Sequence, residues 1–215
     1  EDKIVVIDQS LDKIVIFKKD GSYIENIGRG GSNPKEFDSP RGIFVQGGII
    51  YVADTDNDRI QLLGSNGVFL DSIGKTSTAD PLKEPIALAL GSDGTLFVAD
   101  AKAGTVRLFK NREQTFRMPR MEEIAGMAVD DEGVFVADAA NCKIHKFDFL
   151  GREIFSFGSK GKDPAQFQQI TGVTVGADGK VYVSDIEKGM ISVFMPERGI
   201  KKQSARRPIY PNSVQ

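Results

Sequence analysis

A chain of 215 residues with a formal charge of −2 and 40% hydrophobic residues is long enough for one large domain, and 23 glycines suit a fold built from hairpins. No stretch approaches the roughly 18–20 apolar residues of a bilayer-spanning helix, so membrane insertion is not expected. The single Cys142 excludes an internal disulfide framework, though not an oxidising compartment.

In chain order, the first element is an apolar run ending in Asp, Ile4 to Asp8, followed after a polar turn by Lys13 to Phe17. The same unit returns as Ile50 to Asp54 with Arg59 to Leu63, then as Leu96 to Asp100 with Thr105 to Phe109. Two more copies are Val134 to Asp138 with Lys143 to Phe147, and Val181 to Asp185 with Met190 to Phe194. Spacings between the aspartates are 46, 46, 38 and 47 residues. Short strands recurring at a period of roughly 40–50 residues predict a β-propeller.

The fullest copy, Pro40 to Gly74, shows four strand signals: Gly42 to Val45, Ile49 to Ala53, Arg59 to Leu63 and Val68 to Ile73. Asn66-Gly67 supplies a hairpin turn whose central positions favour positive φ. The other copies keep this punctuation at Lys19-Asp20-Gly21, Ser92-Asp93-Gly94, Asp131-Glu132-Gly133, Phe149-Leu150-Gly151 and Ala177-Asp178-Gly179. Longer connections, Gly28 to Phe37 and Gly158 to Phe167, each close on a Phe expected to tuck between neighbouring blades. Strands total 18: three, three sets of four, then three.

The segments Ile27-Gly28 … Pro34-Lys35-Glu36-Phe37-Asp38-Ser39-Pro40-Arg41-Gly42-Ile43 and Tyr51 to Gln61 resemble the NHL repeat family over about residues 1–194. The resemblance implies an all-β, NHL-type propeller with four-stranded blades, six in the complete protein, of which about five are represented here. Eighteen strands are too few for six blades. Closure is expected either from sequence upstream, since the chain opens without Met and partway through a repeat, or from strands within residues 200–212. Upstream completion is preferred, because Lys201 to Pro208 lacks alternation and reads as linker. The expected organisation is therefore a propeller at 1–194, with incomplete first and last blades, and a basic tail or linker at 195–215. That tail carries five basic residues (Arg198, Lys201, Lys202, Arg206, Arg207) against Glu197, and leaves residues 1–194 at −6. An acidic propeller without Trp is a poor nucleic-acid binder.

The resemblance also implies a catalytic comparison. Peptide-amidating lyases of the family are metal-dependent, and antibiotic-linearising lyases of related propellers rely on histidines near the channel. This chain has one, His145, in a third strand, where a half-buried or surface role is expected. No catalytic residue, metal site or cofactor is expected, with an all-carboxylate calcium site left open. The repeated Asp8, Asp54, Asp100, Asp138 and Asp185 are read as scaffold, accepting from backbone N–H groups of the following turn. A base five residues on, Lys13, Arg59 or Lys143, is placed to bridge to them; the copies with Thr105 and Met190 lack it. Cys142, in a turn, is read as an unreactive thiol.

Function is expected where the copies differ. Arg41, Ile86, Ala125 and Thr171 enter the inner strands and should ring the channel mouth, Arg41 being the one charge among them. It serves either to hold an acidic side chain or as a solvated rim residue. Adding the turns after the second strands gives the candidate partner-binding set Arg41, Asp56, Asn57, Lys102, Asn141, Glu187 and Lys188. The leading expectation is a non-enzymatic scaffold that recognises a protein or peptide through this loop face. A metal-dependent lyase or hydrolase needing ligands from elsewhere is the second reading, and an RNA-binding module the third. Localisation and oligomeric state are not fixed by the residues; divergent copies lean towards a bacterial extracytoplasmic protein.

Overall fold

The computed structural model describes residues 3–74, 81–111 and 113–195. Apart from Met195, the predicted basic tail at 195–215 lies outside the described residues. The chain divides into two compact units, residues 1–117 and 118–215.

In the first unit, blade 1 is a three-stranded antiparallel meander of β1 (Lys3–Asp8), β2 (Lys13–Lys18) and β3 (Tyr23–Ile27). Two short strands, β4 (Arg29–Gly30) and β5 (Glu36–Phe37), pair in parallel inside the connection that follows. Blade 2 comprises β6 (Gly42–Gln46), β7 (Ile49–Asp54), β8 (Arg59–Gly64) and β9 (Phe69–Ile73). Blade 3 comprises β10 (Pro85–Leu90), β11 (Leu96–Asp100), β12 (Thr105–Lys110) and β13 (Glu113–Arg117).

The second unit holds blade 4, made of β14 (Ile124–Asp130), β15 (Gly133–Asp138), β16 (Lys143–Phe147) and β17 (Glu153–Phe157). Its blade 5 has three strands, β18 (Ile170–Val175), β19 (Val181–Asp185) and β20 (Met190–Phe194). The expected division into three, four, four, four and three strands is observed; only the β4–β5 pair was not foreseen.

Strict alternation sends successive side chains to opposite faces, and a middle blade has a neighbour on each face. β8 is therefore buried along Arg59 to Leu63 and reads as a nearly continuous apolar run broken by Gln61. Ile14, Ile16, Ile50 and Val52 form the core between blades 1 and 2, while Leu62, Leu88 and Val98 belong to that between blades 2 and 3. In the second unit Phe135, Ile144, Val173 and Val183 form the corresponding layer.

Inner strands crowd one another, and their sequence shows why. A Cβ on Gly42 would lie 2.8 Å from the Ile86 carbonyl oxygen, and one on Gly126 3.3 Å from the Gly172 Cα. Larger side chains at these points would force the blades apart. The expected burial of the connection-closing rings also holds: Phe37 and Phe167 are fully buried. Each ring packs beneath Gly28 or Gly158, at φ +92° and +95°, so closely that a Cβ on either glycine would overlap it. Leu82 and Met121 are buried two residues before Glu84 and Glu123, as Phe167 is before Gln169.

Candidate functional site

Five aspartates end the second strands, and all but one are almost completely buried. Asp54 accepts from the Asp38 amide (2.8 Å), Asn57 Nδ2 (3.0 Å), Arg59 Nε (2.7 Å) and Gln61 Nε2 (2.9 Å). Asp100 accepts from the Lys83 and Ala103 amides and pairs with Arg107 at 2.9 Å. Asp185 accepts from the amides of Gln168, Gln169 and Lys188. Asp8 and Asp138 hold the turn that follows them, through the Leu11 and Asn141 amides. The scaffold reading of these residues is thus seen in their geometry, with a second partner added. In blades 2, 3 and 5 the carboxylate also grips the connector arriving from the preceding blade.

The expected bridging base needs correction. Arg59 does bridge to Asp54, but Lys13 and Lys143 make no ion pair with their aspartates. In blade 3, where no base was expected, Arg107 supplies one from seven residues on. The pleat explains this: the residue at +5 is paired directly with the aspartate, so the residue at +7 shares its face. That position holds Val15, Gln61, Arg107, His145 and Ser192 in the five copies. Burial pushes the Asp100 carboxyl up, against the pull of Arg107.

His145 accordingly occupies a framework position, with 15% of its side chain exposed. Its Nε2 lies 3.8 Å from Asp138 and its Nδ1 3.5 Å from Glu153, both beyond good hydrogen-bond length, and the ring stacks on Phe147. Cys142 is buried, its Sγ directed at the Ala139 and Gln168 carbonyls.

At the ends of the inner strands, Ile86, Ala125 and Thr171 each sit at a register shift, between Pro85 and Ala87, Ile124 and Gly126, and Ile170 and Gly172. Such bulges re-aim a side chain out of the ladder. Thr171 is exposed, and its Oγ1 lies 3.0 Å from Ser184 Oγ. Arg41 precedes β6, anchored by its amide to the Ala53 carbonyl (3.1 Å). Its guanidinium is exposed and has no hydrogen-bond or ion-pair partner among the described residues.

The other candidates divide in two. Asp56, Lys102 and Glu187 are exposed, with side chains free of such partners. Lys102 lines a cavity of about 460 Å³ with Asp58, Pro81, Leu82 and Lys83. Asn57, Asn141 and Lys188 are engaged internally. Asn57 donates to the Gly31 carbonyl and Asp54, Asn141 to Asp138, and Lys188 Nζ to the Asp163 and Gln166 carbonyls, both at 2.9 Å. Type and position in the sequence did not separate the two groups, because the separation depends on what the connector lays beside each residue.

Among the described residues no three His, Cys, Asp or Glu side chains are grouped to hold a metal. No helix among them is long and apolar enough to cross a membrane.

A family described as a 6-bladed beta-propeller matches residues 1–64. Solved structures extend the likeness. Virginiamycin B lyase from Staphylococcus aureus, selenomethionine-substituted, is similar at a TM-score of 0.70 and 17% identity, over 99% of this chain and 67% of that one. A catalytically inactive histidine-to-alanine form of that lyase, with quinupristin, gives 0.68 and 16%, over 89% of this chain. The chain spans 62% of that protein's length. A streptogramin B lyase gives 0.62 and 16%, over 84% and 72%. The fold is a β-propeller with four-stranded blades. At these identities the likeness carries fold alone, and no curated protein matches the sequence.

Proposed function

We propose that the chain is a recognition module of the NHL-repeat type that binds a protein or peptide partner through its loop face. In this reading residues 1–194 act as the propeller and 195–215 as a basic tail. The observation that supports it is Arg41, a guanidinium at the inner-strand end of a rigid sheet with nothing in the described chain to satisfy it. A fork of five N–H donors held there matches a carboxylate from outside. Asp56 and Lys102 on the same unit offer further unpaired charge for selectivity. The test is affinity capture from an extract of the source organism with wild type and Arg41→Glu. The expected outcome is a partner retained by the first and weakened at least tenfold for the second, with unchanged circular dichroism. Equal capture by both would remove Arg41 from the site.

A lyase reading is favoured by one observation, the likeness to virginiamycin B and streptogramin B lyases. Against it stands the position of His145, whose ring nitrogens face Asp138 and Glu153 within its own blade. Incubation with quinupristin, followed by chromatography, separates the two readings. Consumption of the antibiotic would make this chain an enzyme.

A further inference from the structure

The connectors between blades differ in length, and the shortest leaves a surface bare. Fourteen residues join β3 to β6, eleven join β9 to β10 and twelve join β17 to β18, but only Met118–Glu123 leads from β13 into β14. Most of the shortfall in the 38-residue spacing from Asp100 to Asp138 lies there.

Blades 2 and 5 show what a full connector does. In blade 2 the turn Asn33-Pro34-Lys35-Glu36 closes through the Glu36 amide on the Asn33 carbonyl (3.0 Å). Arg59 Nη2 donates to both the Asn33 carbonyl (3.0 Å) and the Glu36 carbonyl (2.9 Å). Gln61 adds a bond to the Glu36 carbonyl and receives the Lys35 amide. In blade 5 the turn Asp163-Pro164-Ala165-Gln166 closes in the same way, through the Gln166 amide on Asp163. Lys188 Nζ takes its first and fourth carbonyls. One cation from the blade thus clasps an Asx-Pro-x-Glx turn twice over.

Blade 4 keeps the clasp and lacks the turn. Its Asn141, Lys143 and His145 stand at +3, +5 and +7 from Asp138, as Asn57, Arg59 and Gln61 stand from Asp54. The blade 2 trio is buried, whereas Asn141 and Lys143 are exposed. The Lys143 ammonium has no partner among the described residues, and both His145 ring nitrogens are buried without a hydrogen bond. Buried polar atoms left this way are costly until something supplies the missing partner.

We propose that this shelf on blade 4, formed by Asn141, Lys143 and His145, docks an Asx-Pro-x-Glx turn presented by a partner protein. The turn's first and fourth carbonyls accept from Lys143, and His145, its ring turning away from Asp138 and Glu153, donates to the fourth carbonyl or accepts an amide, as Gln61 does in blade 2. Proline at the second position pre-sets the turn and lowers the cost of ordering it. The inference rests on the recognition reading and names the chemistry of the partner.

The probe is a labelled, capped peptide with the sequence of residues 159–167, titrated against the full chain by fluorescence anisotropy. Lys143→Ala, at an exposed position, is expected to weaken binding at least tenfold. His145→Val, which installs the residue of blade 1, weakens it several-fold, and His145→Gln, which installs that of blade 2, holds it within about twofold. A scrambled peptide with proline displaced does not compete. Equal binding to wild type and Lys143→Ala, or equal binding of the scrambled peptide, would overturn the proposal. So would self-association abolished by Lys143→Ala, which would seat a second copy's connector on the shelf. If the peptide fails while Arg41→Glu still releases a captured partner, the recognition reading stands and only this shelf falls.

Discussion

Lys146 shows how one residue can break a repeat that its neighbours keep. The same position is Ile16, Leu62, Leu108 and Val193 in the other copies, all aliphatic. In blade 4 a fully buried ammonium lies 4.0 Å over the Phe135 ring and pairs with Asp130. Burial pulls its pKa below the ordinary lysine range, against the pull of Asp130. A buried ion pair recovers little more than its desolvation cost, so Lys146→Leu is expected to leave stability unchanged or raise it by about 1–4 kcal/mol. Asp130→Ala, which leaves the ammonium alone, is expected to cost about 3–5 kcal/mol. Urea unfolding of the two variants checks both signs. The aspartates that end the second strands were legible in the sequence because they recur with the turn they hold. The residues at +7 were not, since five different side chains occupy that place and only the strand register shows that they face the carboxylate.

Among the elements, the connectors were the least legible. The strands follow from alternation and from Gly-containing turns, which short-range sequence displays directly. A connector such as Gly28 to Phe37 is shaped instead by two groups distant in sequence, Arg59 and Gln61, together with its own Glu36. The Asn33 amide holds the Glu36 carboxyl first and Arg29 second, setting its pKa at about 2. A carboxyl depressed in the folded state contributes stability that is present above its unfolded value, near 4.3. That contribution is lost as pH falls towards about 2. Titration of the Glu36 side chain by carbon NMR is expected to show a midpoint near 2. A midpoint in the ordinary glutamate range would mean that the connector is held by Arg59 and Gln61 without its own carboxylate. Six residues fewer than in the blade 5 connector sufficed to strip the donors of blade 4, a difference visible in the sequence only as a shortened repeat spacing.

At the scale of the whole molecule, neighbouring sheets do not protect all blades equally. Blade 1 turns Ile4, Val6 and Tyr23 outward at 46%, 42% and 58% exposure, on the face it shares with Val15 and Phe17. The equivalent strands β7 and β11 lie inside packed layers. Local opening is easiest where apolar contacts are few, so amides of β1 are expected to exchange about 100-fold faster than those of β7 and β11. Hydrogen exchange followed by mass spectrometry measures this, and equal protection would show that the open face of blade 1 is covered in solution.

The aspartate clamp has a consequence for how such a chain can change over generations. In blades 2, 3 and 5 it binds both its own turn and the strap delivered by the preceding repeat, so each of these three joints is specified locally and in the same way. Where stability is a sum of nearest-neighbour joints, an in-frame duplication or loss of about one period rebuilds a working joint at the splice. Repeat number is then free to vary among descendants, while the aspartate itself is not. Blade 4 keeps the aspartate on its own turn, through the Asn141 amide, with no strap amide beside it among the described residues.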